Sequence, residues 1–525
     1  MASTSGNTRE KLTSLAKERI LVLDGATGSL IQAFKNPSGQ PLAEDDYRGE
    51  RFKDHPRPLK GCNDILCLTQ PQLIFGIHAA YLKAGADIIE TCSFNATALS
   101  LADYDLEALA YEVNVAAAGL ARKAADSFST PEKPRFVAGV MGPTAKSASI
   151  CQDMNTPERR AIGWDGLEAA YYDNARGLLD GGADLILIET IFDTLNAKAA
   201  IFAVQRLAKE RGIDVPLMIS ATVSNTGGRL LSGQTTEAFC ISVLHANPLA
   251  LGLNCSFGAE KLKPHIASIS AAAPCLVSAH PNAGLPNHNG DYDESPESMA
   301  NHIEEYLREG LVNIIGGCCG STPDHIAAIA EKAKNYSPRK PQAGTSIAPQ
   351  HNEGSPAFPK KILLAGLEPL EIKTEHIIAM EKEDTKTDGN SKSSRLILSN
   401  LIEEGNYEDA VDTVLEAIES GPALVDICID DTSPSDITCF LNSALIYPDI
   451  ARAPIMISGS RWELIKTGLK CLPGKSLANF ININFKDGDA EFLCLAQLAH
   501  AYGAAVAASS DTNIIAFFEP ALGPV

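Results

Sequence analysis

The chain is short of positive charge: 44 lysines and arginines stand against 65 aspartates and glutamates, a formal net charge of −21. That imbalance argues against nucleic acid or an anionic membrane surface as a partner. Also missing is any run of about 18 apolar residues, the length a membrane-spanning helix needs. The N-terminus, Met1-Ala2-Ser3-Thr4-Ser5-Gly6-Asn7, has no apolar signal core, and the resulting reading is a cytoplasmic protein. Without a secretory signal the usual setting for a disulfide framework is lacking, so the 13 cysteines read as metal ligands and core thiols. At 525 residues the chain has room for two or more domains, each with a full core.

What is present is a repeated alternation. Behind a polar tail over residues 1–9, short apolar runs recur: Ile20-Leu21-Val22-Leu23, Ile88-Ile89, Phe136-Val137-Ala138, Leu185-Ile186-Leu187-Ile188, Leu217-Met218-Ile219, Leu249-Ala250-Leu251, Leu276-Val277 and Val312-Asn313-Ile314-Ile315. Each is continuously apolar and ends in polar or glycine residues, as parallel strands buried on both faces do. Helical stretches such as 72–84, 167–179 and 298–309 lie between them. Glycines at 85 and 181–182 stop two of these helices before the next strand. This α/β pattern predicts a closed (β/α)8 TIM barrel over residues 10–338, with its active site at the C-terminal ends of the strands. A Pro/Ser/Gly-rich linker follows at 339–360, and further strand-like units at 361–525 predict a second, incomplete TIM-barrel-like α/β domain.

The chemistry-bearing residues fall at the strand ends: Asp24, Glu90, Glu189, Thr190, Asn254, Cys255, Asn282, Cys318 and Cys319. In Gly316-Gly317-Cys318-Cys319-Gly320, glycines are expected to supply the backbone freedom that turns both sulfurs toward one ion. Cys255 ends an earlier strand in a matching place. Three thiolates with one vacant position make a catalytic zinc site, and soft ligands favour zinc. A vicinal disulfide is disfavoured, because Cα atoms across a trans peptide lie about 3.8 Å apart whereas bridges span about 4.4–6.8 Å. Cys62, Cys67, Cys92, Cys151 and Cys240 read as inert core thiols. Strand-end carboxylates often cap helices or pair with bases; beside a thiolate site, Asp24 and Glu189 suit a substrate ammonium. His280 and His288 read as solvated loop imidazoles, with ligation the weaker alternative.

Asp24-Gly25-Ala26-Thr27-Gly28, Glu90-Thr91, Glu189-Thr190, Asn254-Cys255 and Gly316-Gly317-Cys318-Cys319-Gly320 together resemble the homocysteine-binding barrel of cobalamin-dependent methionine synthase. The resemblance implies a zinc-dependent homocysteine S-methyltransferase. Cys255, Cys318 and Cys319 would hold Zn2+, Asp24 and Glu189 the amino acid end of homocysteine, and Asn282 would complete the site. Residues 361–525 resemble the start of the family's methyltetrahydrofolate-binding barrel, clearest at Pro448–Arg452 and Ser460-Arg461-Trp462, with Asp426, Asn479 and Asp511 matching. Here the sequence departs from its family. Met380-Glu381-Lys382-Glu383-Asp384 replaces a glycine-glutamate-arginine stretch, Cys428 an asparagine and Ser458 an aspartate, and about five of eight strands are expected before Val525. A lost folate site is therefore predicted, in a piece that packs on the first barrel or self-associates. No histidine stands in an Asp-x-His-x-x-Gly corrin motif, so methylcobalamin would have to come on a separate protein; S-methylmethionine or betaine are the simpler donors. The competing reading is a non-catalytic zinc- or thiol-binding scaffold.

Overall fold

The computed structural model describes residues 6–35, 39–224, 226–340, 361–373, 400–419, 424–481, 490–510 and 513–518. Eight parallel strands form the first sheet: β1 (Leu21–Val22), β2 (Ile88–Glu90), β3 (Phe136–Met141), β4 (Leu185–Ile191), β5 (Leu217–Ala221), β6 (Ala250–Gly258), β7 (Leu276–Asn282) and β8 (Ile314–Ile315). Each pairs with its sequence neighbours, β8 pairs with β1, and a bridge from Leu23 to Ile88 joins β1 to β2 and closes the barrel. A helix packs outside after each strand, among them Pro71–Ala84, Trp164–Asp180 and Pro296–Arg308, close to the ranges the sequence predicts. Gly85 and Gly182 sit at φ +120° and +101° before β2 and β4, where the chain reverses after a helix. Among the described residues no single helix is long and apolar enough to cross a membrane.

Side chains alternate between two cores, as the two-residue period of a strand requires. Leu21, Leu23, Ile88, Ala138, Val140, Leu185, Leu187, Met218, Ala250 and Ile314 fill the barrel, while Ile186, Ile188, Ile219, Leu251, Leu253 and Val277 meet the helices. Helix α1 (Gly6–Glu18) begins inside the stretch read as a tail, and its Leu12 and Ala16 enter the barrel core at the starts of the strands. Arg9 on this helix pairs with Asp214 at 2.8 Å. The tail is thus a stopper from residue 6, and only residues 1–5 lie outside the described structure.

The second unit differs from expectation in two places. Segments β11 (Val425–Cys428), β12 (Ile455–Gly459), β13 (Leu477–Ile481) and β14 (Ala505–Ser510) run parallel as predicted, but the fifth strand of the sheet is β15 (Asn513–Phe518), antiparallel to β14. The run at Ile362, expected as the first strand of that sheet, instead makes a separate hairpin of β9 (Lys361–Ala365) and β10 (Pro369–Lys373). Gly366-Leu367-Glu368 permits that reversal. A Cβ on Gly366 would lie 2.4 Å from the Arg452 carbonyl, so only glycine fits the turn. Ile362, Leu364 and Ile372 of the hairpin pack on Leu424, Met456, Leu477 and Ala505 at the starts of the strands. Of the predicted linker, residues 341–360 lie outside the described residues.

This unit packs on the barrel rather than standing apart. Thr235 N–H donates to Leu367 O at 3.0 Å, Gln234 Nε2 to Gly366 O at 2.9 Å, and Arg229 pairs with Glu368. Farther along, Arg160 Nη2 donates to Asn442 O at 2.6 Å and Asn442 Nδ2 to Glu158 O at 2.9 Å. Tyr502 sits against Trp164 and Phe202, ring centroids 5.2 and 4.8 Å away. The fully buried Lys198 donates to the carbonyls of Leu472 and Gly474 at 2.8 and 3.0 Å.

Candidate metal and substrate site

Cys318 and Cys319 follow β8 and Cys255 lies in β6. Their three sulfurs are all within 4.8 Å of one another, with Cys255 and Cys319 3.8 Å apart. Two thiolates about 2.3 Å from one tetrahedral ion would be about 3.8 Å apart, so the spacing suits a shared metal. The glycines contribute differently from expectation. Gly316 and Gly317 have ordinary φ; they are small because a Cβ would meet Leu23 Cβ at 2.8 Å and Ser321 Oγ at 2.4 Å. Only Gly320 is left-handed, at φ +78°. The unusual backbone falls on Thr190, Cys255 and Ser256, at φ +55°, +62° and +63°, a conformation costing about 1–3 kcal/mol per residue in a non-glycine.

S–H groups of Cys318 and Cys319 stabilise a thiolate at Cys255, pulling its pKa down to about 3, and that thiolate pushes Cys318 up and Cys319 up to about 11. One negative charge is comfortable here and three are not, unless a cation compensates them. That donor set fits a soft-ligand divalent ion such as zinc. Asn282 lies beside the Cys255 sulfur and Tyr292 beside that of Cys319, each helping to stabilise the neighbouring thiolate. Tyr292 reaches the site over Gly320, where a Cβ would lie 2.3 Å from its own.

Below the sulfurs lie three carboxylates. Asp24 is fully buried, accepts the Glu90 N–H at 3.0 Å through Oδ2, and has no partner on Oδ1. Burial and mutual repulsion among Asp24, Glu90 and Glu189 raise the pKa values of Asp24 and Glu90; burial and then the Cys255 charge raise Glu189 to about 8. No lysine or arginine among the described residues offsets them. A ligand ammonium would. Asn254 joins the two halves: its Nδ2 is 2.7 Å from Thr190 Oγ1, 3.3 Å from Glu189 Oε2 and 3.9 Å from Cys318 Sγ.

Thus the structure brings Asp24, Glu189, Asn282, Cys255, Cys318 and Cys319 to one barrel mouth. His280 is not solvated: it is fully buried on β7 with both ring nitrogens unpartnered, held neutral by burial. His288 is exposed in the following loop. Cys151, read as a core thiol, is half-exposed on the loop after β3, whereas Cys62, Cys67, Cys92 and Cys240 are buried. Sequence reasoning gave no site role to Glu90 or Asn254, and Tyr292 escaped it. The first two stand among the strand-end residues, and counting inward positions along each strand, from Ile88 to Glu90 and from Ala250 to Asn254, would have aimed them into the barrel; Tyr292 lies in a loop without periodicity.

A family model described as homocysteine S-methyltransferase matches residues 21–333, and one described as pterin binding enzyme matches residues 393–512. Among solved structures, the homocysteine methyltransferase MmuM from Escherichia coli in its oxidised form is similar at 24% identity and TM-score 0.47, covering 61% of this chain and 98% of that one. Its metallated form gives 24% and 0.46 with the same coverage. A putative phosphonomutase from Burkholderia cenocepacia J2315 gives 14% and 0.31, covering 60% and 92%.

Proposed function

Because the chain belongs to the homocysteine S-methyltransferase family and is a methyltransferase acting on homocysteine, we propose that it is zinc-dependent and makes methionine by methylating the substrate sulfur. The observation that carries the metal is the trio of sulfurs within 4.8 Å, held by Cys255, Cys318 and Cys319. Zinc, when bound, keeps the substrate sulfur as a thiolate at a pH where a free thiol of pKa about 8.5 is mostly protonated. Asn282 beside Cys255 and Tyr292 beside Cys319 favour the thiolate form of those two sulfurs. Asp24 and Glu189, with Glu90 beside them, bind the ammonium end of homocysteine, and the unpartnered Oδ1 of Asp24 is the acceptor waiting for it. Family membership sets aside the scaffold reading.

For the donor, we keep the kinship with cobalamin-dependent methionine synthase while assigning the methyl group to methylcobalamin on a separate protein or to a small sulfonium or betaine donor. Residues 393–512 match pterin-binding enzymes, yet the strand-end polar groups of the second sheet satisfy one another. Ser458 Oγ donates to Asp426 Oδ1 at 2.5 Å and accepts from Asn479 Nδ2 at 3.1 Å. A hydroxyl cannot take the place of a carboxylate as acceptor for a pterin N–H with charge assistance. Residues 380–384 and Asp511 lie outside the described residues.

X-ray absorption at the zinc edge tests the central claim. Reduced protein should carry one zinc per chain in a three-sulfur shell, and homocysteine should add a fourth sulfur at about 2.3 Å. A shell unchanged by homocysteine would remove the mechanism.

A further inference from the structure

Successive side chains of a strand point to opposite faces. Along β6, Ala250 faces the barrel interior and Leu253 the helices, which makes Asn254 an inward residue and would turn an unkinked Cys255 outward, away from Cys318 and Cys319. Cys255 reaches them because φ is positive there and at Ser256, and because β6 leaves register with β7 between Asn254 and Gly258. Strand β4 does the same: Thr190 is left-handed and the register with β5 shifts between Ile188 and Ile191. One kink aims a sulfur and the other sits beside the Glu189 carboxylate.

A single amide spans both kinks. Asn254 is fully buried. Its Oδ1 accepts from Thr190 N–H at 2.9 Å and from Ser220 Oγ at 2.8 Å, so the backbone donor that the kink in β4 takes out of the ladder is satisfied. Its Nδ2 donates to Thr190 Oγ1 at 2.7 Å and to Glu189 Oε2 at 3.3 Å. Both lone pairs and both protons are used. Alanine here would leave the Thr190 N–H buried without an acceptor while two left-handed non-glycine residues remain strained.

We propose that Asn254 is a positioning residue that locks the Thr190 and Cys255 kinks together, so that metal affinity and the grip on the amino acid end of the substrate are set by one side chain. The proposal rests on the zinc and homocysteine reading above. Asn254→Ala should weaken zinc retention against a competing chelator by about 10- to 100-fold, the range for loss of a partner that orients a metal ligand, and shift the sulfur-to-cobalt absorption of the cobalt-substituted protein. It should also raise KM for homocysteine. Adding Thr190→Gly to Asn254→Ala should recover part of KM, since glycine takes positive φ without strain, and leave the metal affinity low. Ser220→Ala, which removes only one bond to Oδ1, should move both readouts in the same direction by less, and it serves if Asn254→Ala fails to fold. Wild-type chelator competition and cobalt spectra in folded Asn254→Ala, or in Ser220→Ala when that is the folded variant, would overturn the proposal while leaving the zinc reading intact. Wild-type protein that binds no zinc would overturn both.

Discussion

Cys318 joins the sulfur cluster to the amide below it: its S–H stabilises the Cys255 thiolate, and its sulfur lies 3.9 Å from Asn254 Nδ2. Serine at this position offers a harder, less acidic donor, and two thiolates hold zinc less well than three. Cys318→Ser should therefore lower zinc occupancy and methyl transfer together, by at least the 10- to 100-fold range seen when a mere supporting contact is lost; metal analysis alongside a methionine-formation assay checks it. Cysteine spacing and strand-end placement made the three-sulfur cluster legible in the sequence. The left-handed angles were not legible, because they fall on Thr190, Cys255 and Ser256, residue types that disfavour them. They persist only through contacts from other strands, which no local pattern encodes.

Among the elements, α1 shows how a polar-looking segment gains a structural role. Read alone, residues 6–18 are weakly amphipathic, and only Leu12, Leu15 and Ala16 are apolar enough to anchor them. Those residues meet Leu21, Phe136, Leu249 and Leu276 at the strand starts. Leu12 is fully buried, and Leu12→Ala should cost about 2–5 kcal/mol, read as a lowered urea midpoint with the zinc site intact. The eight strands of the barrel were visible because each is buried on both faces and reads as an uninterrupted apolar run. The first strand of the β9–β10 hairpin reads as a member of the parallel sheet for the same reason: Ile362-Leu363-Leu364 is just as apolar, and only the Gly366 turn distinguishes a hairpin from a crossover.

At the scale of the whole molecule, the junction between barrel and second unit is sensitive to pH. Burial draws the Lys198 ammonium down to about 7, against about 10.4 in an unfolded chain. Between those values the unfolded chain holds a proton that the folded one lacks, so Lys198 makes stability rise with pH through this window and contributes least below it. His245 and His500, 6.0 Å apart across the same junction, are held neutral by burial and by nearby lysines, His500 down to about 4. Their contribution is present above pH about 6.5 and lost as the pH falls toward about 4. Lys198→Met should flatten the stability gain between pH 7 and 9 by about 1–3 kcal/mol, measured by urea unfolding of both proteins at each pH. The second unit itself, with Ser458 tied to Asp426 and Asn479, should show no saturable heat on titration with methyltetrahydrofolate at micromolar concentration.

Helix α1 has a further consequence, and it concerns the order of events. With Leu12 and Ala16 filling the far end, the barrel is a vessel with one opening, and the carboxylates and sulfurs line the route down from it. Both reactants must use that opening, and on the proposed reading, in which the buried Asp24 and Glu189 take its amino group, homocysteine occupies the deeper berth. Homocysteine must therefore load before the donor, and methionine cannot leave until the spent donor has gone. Steady-state kinetics should be ordered, with methionine competing against homocysteine and excess donor inhibiting at low homocysteine; a pattern of random addition would mean that a second route to the sulfurs opens in solution.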